Sequence, residues 1–117
     1  MALDRWSQFL KDNRLESGAH SKAVRFHSGL ILSVQASTTH YCNPREDNPV
    51  HGWCSFEVFS HDSLITFHDQ RTLGVKDPEE LDLQDPIGWV GIAALDAVCE
   101  NNGGIEGPED DELPDPW

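Results

Sequence analysis

The chain has 117 residues, a length that suits one hydrophobic core, and 38% of them are hydrophobic. Its net charge is −13, from 21 acidic against 8 basic side chains, which repels nucleic acid from most of the surface and attracts basic partners. It lacks the run of about eighteen apolar residues that a membrane-spanning helix needs; MALDRWSQFLKDNR carries charges where an export signal is apolar, and the 3 Cys are expected to be reduced thiols in a cytoplasm.

In chain order, ALDRWSQFLKDNRLESG sets Leu3, Trp6, Phe9 and Leu10 on one side at helical spacing, predicting a helix over about 2–16 with Gly18 as its stop. Val24 and Phe26 then alternate with Arg25 and His27, and Ser28-Gly29 offers a tight turn. From Leu30 the pattern Leu30, Leu32, Val34, Ala36 is that of a half-buried strand. WCSFEVFS at 53–60 and SLITFH at 63–68 read as two more strands. DPIGWVGIAALDAVCENNGG reads as a second helix, with Asp85 as cap, Pro86 at the first helical position and Asn102-Gly103 as stop. Its expected apolar face is Ile87, Val90, Ala94, Leu95 and Val98. The expected fold class is therefore α+β: an antiparallel sheet of three to four strands flanked by an N-terminal and a C-terminal helix, in the order α-β-β-β-β-α. Residues 1–104 form a single compact domain in this reading, and IEGPEDDELPDPW, from 105 to 117, is a flexible acidic tail.

SVQASTTHYCNPREDNPVHGWC holds the chemistry-bearing residues of the chain: His40, Cys42, His51 and Cys54. Zinc takes four N or S ligands, and these four are of the right type. The spacing argues against it, because His-x-Cys along an extended strand holds the two ligands apart, and Pro44 and Pro49 suit a rigid loop equally well. A Cys42–Cys54 disulfide, and a thiolate–imidazole pair between Cys42 and His40 or His51, are further options, without an activating helix N-terminus or family signature nearby. His61, Asp62, His68 and Asp69 sit in SHDS and FHDQ, where sequence neighbours on a strand point apart. A non-enzyme without cofactor is expected, with the His/Cys metal site as the alternative and a Cys-dependent enzyme behind it.

The distribution of charge says more than the ligands do. Residues 1–45 carry six basic and three acidic side chains, whereas residues 46–117 carry only Arg71 and Lys76 against eighteen carboxylates. Arg5, Lys11, Arg14, Lys22 and Arg25 would form a basic patch, but the acidic remainder opposes a nearby phosphate backbone, so no direct nucleic-acid binding is expected. Carboxylates on a small rigid domain can instead imitate a duplex, which presents about one charge per 1.7 Å of axis. Glu79, Glu80, Asp82, Asp85, Asp96 and Glu100 are the candidates, with Trp89 or Trp53 as exposed aromatic anchors.

LILSVQASTTHYCNPRED followed by SFEVFS, and the closing DAVCENNGG, resemble a group of small bacteriophage and prophage proteins of uncharacterised role, in which a Ser-Val-Gln-Ala-Ser strand runs into His-Tyr-Cys-x-Pro-Arg. The resemblance spans about residues 29–60 and 90–104 and assigns no catalytic role. Size and acidity also resemble phage anti-CRISPR proteins, which bind DNA-contacting surfaces of Cas effectors. Together these imply an inhibitor of a host defence system, acting in the bacterial cytoplasm as a monomer or homodimer on a basic surface of a protein complex.

Overall fold

The computed structural model describes residues 3–16, 18–60, 65–78 and 86–109. The α+β class holds: among the described residues there are three helices and a five-stranded, wholly antiparallel sheet. The chain runs α1 (Arg5–Asp12), β1 (Val24–Phe26), β2 (Ile31–Gln35), β3 (Ser55–Phe59), α2 (Phe67–Leu73), β4 (Ile87–Gly91), α3 (Ile92–Asn101) and β5 (Ile105–Pro108), and the sheet order is β4-β3-β2-β1-β5. Among the described residues no helix is long and apolar enough to cross a membrane.

α1 starts where Asp4 accepts hydrogen bonds from the backbone N–H groups of Trp6 and Ser7, satisfying two otherwise orphaned donors. It buries Trp6 and Leu10 as expected, but ends at Asp12 rather than near 16. Asn13 caps it, its amide returning to the Phe9 carbonyl, and Arg14 turns inward to bridge Ser21. Arg14 then acts as a cross-link, donating to the carbonyls of Ala36 and Asp47 and to the Ser21 hydroxyl, with its guanidinium 5.1 Å from the Trp53 ring centroid.

β1 and β2 form the hairpin expected around Ser28-Gly29, closed by Phe26 N–H to Leu30 O at 2.9 Å. Val24, Phe26, Leu30, Leu32 and Val34 enter the core with Trp6, Leu10, Phe56 and Val58. Trp53, expected as a surface anchor, is also in that core at 2% exposure, its indole N–H donating to Glu46 O. Ser7 fixes it to α1: the Ser7 hydroxyl accepts from Trp53 N–H at 2.9 Å and donates to Trp53 O at 3.3 Å.

Three expectations are corrected. SLITFH contributes no strand among its described residues: Thr66 accepts from Asp69 N–H and opens α2, which Gly74 ends in a left-handed conformation. Pro86 does not open a helix, because Gly88 and Gly91 penalise one while Ile87, Trp89 and Val90 favour extension, so residues 87–91 become β4 beside β3 and the helix begins at Ile92. Leu95 and Val98 still form the buried face of α3, and its end is the one expected: Gly103 N–H returns to Glu100 O and Gly104 N–H to Cys99 O. Finally, residues 105–108, expected to begin a flexible tail, add β5 to the sheet beside β1, fastened by an ion pair between Arg25 and the buried Glu109. Residues 110–117 lie outside the described residues.

Candidate functional site

The segment after β2 folds back across β3. Asn43 bridges Ser55, and Cys54 N–H donates to Asn43 O at 2.8 Å. Glu57, only 7% exposed on β3, accepts a hydrogen bond from Tyr41 N–H at 3.1 Å. Tyr41 O in turn accepts from Trp89 N–H at 2.9 Å. That bond draws Trp89 out of register with β3: Phe56 faces Val90 and Val58 faces Ile87, so Gly88 and Trp89 together oppose Glu57 in a β-bulge.

The bulge presents an aromatic pair at the surface. Trp89 and Tyr41 stack with ring centroids 4.9 Å apart and planes 22° apart, yet they are 60% and 51% exposed. The Arg45 guanidinium lies 5.6 Å from the Tyr41 centroid. Trp89 has φ of 53°, the left-handed region that a bulky side chain normally avoids. Gly88 permits the arrangement: a Cβ there would lie 2.7 Å from the Cβ of Tyr41. Buried carboxylate, backbone bond, glycine and strained Trp thus form one contiguous support for two exposed rings.

The four candidate metal ligands are not brought together. His40 is buried, its Nδ1 2.6 Å from the Ser37 hydroxyl and its ring edge-on to His20 at 4.7 Å. Cys42 is buried with its thiol directed at the carbonyls of Ser37 and Pro44, and burial pushes its pKa up, keeping it a thiol. His51 and Cys54 are exposed. Among the described residues no group of three or more His, Cys, Asp and Glu is arranged to hold a metal, and Cys42, Cys54 and Cys99 are free thiols. Of the hydrolase-like residues, Asp69 is buried and accepts from the side-chain amides of Asn101 and Asn102, which ties α2 to α3.

The acidic candidates divide. Glu79, Glu80, Asp82 and Asp85 lie outside the described residues. Glu100 is exposed. Asp96, expected to face a partner, is engaged within the molecule: it accepts from the Trp6 indole N–H at 2.8 Å and lies 3.4 Å from Arg5 Nε. The basic patch is likewise spent on the fold. Arg5 also donates to Cys99 Sγ, Lys11 to Pro49 O at 2.6 Å, Arg14 to the carbonyls named above, and Arg25 to Glu109.

Sequence reasoning found Trp89 but missed Tyr41, Arg45, Glu57 and Gly88. Tyr41 sits at the tip of a tight turn in which Cys42 N–H donates to His40 O at 3.0 Å. Its ring therefore points outward between the buried His40 and Cys42, a geometry that leaves no periodic signal in the sequence. Trp, Tyr and Arg are the side chains that most often anchor protein interfaces. No protein-family model, curated protein or solved structure matches the chain.

Proposed function

We propose that the protein is a phage-type inhibitor of a host defence system. It docks on a basic, nucleic-acid-handling surface of a protein complex such as a Cas effector in the host cytoplasm, and blocks DNA from that surface or mimics it. The observation that carries the reading is Trp89: 60% exposed, held at φ of 53° and stacked on Tyr41, it costs the fold stability and contributes little burial in return. Strain retained at an exposed aromatic is the mark of a binding anchor. The charge selects the class of partner: thirteen carboxylates and no Lys or Arg follow Lys76, and Glu79, Glu80, Asp82 and Asp85 precede Trp89 in the chain. A basic surface is drawn in by that field, and the rings provide short-range specificity.

Competition on a purified Cas effector carrying labelled target DNA tests this. Wild-type protein should exclude the DNA, Asp82→Lys with Asp85→Lys should slow association most at low salt, and Trp89→Leu should speed dissociation. If DNA binding is unchanged across effector types, and expression of the protein does not restore phage plating on defended cells, the proposal fails.

A further inference from the structure

From the same site, and resting on the reading of a basic partner, we infer that the outer face of Trp89 is a seat for an arginine guanidinium of that partner. One face of the indole is covered by Tyr41 at 4.9 Å, and the side chain is still 60% exposed, so the opposite face is open to solvent. An indole face carries the strongest cation-attracting quadrupole among the side chains. Among the described residues the aromatic rings that carry a cation are Trp53, with Lys11 at 5.9 Å and Arg14 at 5.1 Å, and Tyr41, with Arg45 at 5.6 Å. Among the described residues Trp89 has an open face and no such cation, on a chain of net charge −13.

The choice among occupants follows from charge and shape. A second copy of the chain would bring another net charge of −13 to the same contact, so self-association opposes the field. An apolar side chain would gain nothing from that field. A guanidinium gains from it and, being planar and weakly hydrated, stacks flat on a ring where an ammonium keeps its water. The support beneath the ring adds rigidity: with Trp89 N–H held by Tyr41 O and Tyr41 N–H held by Glu57, the indole loses little freedom when it is covered.

The test uses the whole protein labelled with 15N at its indoles, in which the Trp89 resonance is assigned by its absence in Trp89→Leu. Hexa-arginine, hexa-lysine and hexa-citrulline are titrated at near-physiological salt, where distant charges are largely screened. The expected result is a shift of the Trp89 indole with hexa-arginine alone. Its binding should fall about 2- to 30-fold in Trp89→Leu, which keeps apolar bulk and the same backbone strain but has no ring face. Unaltered hexa-arginine affinity in Trp89→Leu overturns the seat, as does equal binding of hexa-lysine or hexa-citrulline. The parent reading fails separately: loss of the seat with DNA exclusion from an effector intact removes only the guanidinium, whereas loss of both removes the inhibitor itself. A urea titration of Trp89→Leu confirms that the variant compared is folded, and Trp89→Phe, which keeps a weaker face, should give intermediate affinity.

Discussion

Replacing Trp89 by Gly and by Ala should invert the ordinary order of stability of those two residues in a strand. Within a regular strand Gly is less stable than Ala by about 0.5–1 kcal/mol, because the unfolded chain gives up more freedom. At φ of 53° an L-residue pays about 1–2 kcal/mol for the clash of its Cβ with the following carbonyl, and Gly pays none of it. Both variants lose the same indole, the same stacking on Tyr41 and the same buried area, so these terms cancel in the comparison. What remains is the strain removed less the entropy of Gly, which leaves Trp89→Gly more stable than Trp89→Ala by about 0.5–1 kcal/mol, or about 4 °C in melting temperature. Urea denaturation of both variants, followed by far-ultraviolet circular dichroism, measures the difference directly. Equal stabilities, or an advantage for Ala, would mean that Trp89 is not held in the left-handed region, and the argument from retained strain to a binding anchor would fall with it.

Gly88→Ala should force the Tyr41 ring from Trp89, since the new Cβ would sit 2.7 Å from the Tyr41 Cβ; loss of the near-ultraviolet signal of the pair and about 1–3 kcal/mol of stability are expected. Ser7→Ala leaves the buried N–H and carbonyl of Trp53 without their partner and should cost about 1–3 kcal/mol in urea unfolding. The backbone N–H of Thr38 holds the Asp47 carboxyl below its ordinary value of 3.8, so Asp47 adds stability above that pH and loses it as pH falls through the lower folded value. Asp47→Asn lacks that contribution, and the stability curves of the two proteins, measured by urea unfolding at successive pH values, should converge on acidification below about pH 4. Iodoacetamide should label Cys54 in the native protein while Cys42 and Cys99 react only on unfolding; mass spectrometry after brief exposure reads the order, and a rapid reaction at Cys42 would refute its burial.

The parts of the fold that could be read from the sequence are those where one local pattern had one meaning. Leu30, Leu32 and Val34 alternate over a length that only a strand explains, and Phe9 and Leu10, three and four residues after Trp6, share its side only in a helix. IGWVGIAAL is free of polar side chains, so periodicity alone does not separate a buried helix from a strand running into one; the two glycines were the discriminating signal, and the Pro86 helix-start rule overrode them. β5 was invisible for another reason. IEGP holds one large apolar residue, and its place in the sheet comes from backbone pairing with β1 and from the Arg25–Glu109 ion pair, neither of which leaves a periodic trace. In the candidate site, attention to ligand types favoured His40 and Cys42, whose polar atoms are occupied inside the fold, over the Tyr41 between them. Glu57 alternates with Phe56 and Val58 and carries no sign of burial in the sequence, but the segment between β2 and β3 covers it, and Tyr41 N–H donates to its carboxylate.

The same distribution of charge explains how so exposed a pair of rings is compatible with a well-behaved surface. A stacked Trp and Tyr at the surface is ordinarily an invitation to self-association. Here four of the eight basic side chains are engaged within the fold: Arg5, Lys11, Arg14 and Arg25 each bind a carbonyl, a thiol or a carboxylate. They join α1 to α3 and to the loop before β3, and β1 to the end of β5, so that much of their charge is paired within the molecule. What a neighbouring copy meets is then a field of its own sign, whereas a basic partner meets an attractive one. The excess of carboxylates over cations, 21 against 8, thus opposes a ring-to-ring contact between copies through like charge rather than through a cover over Trp89.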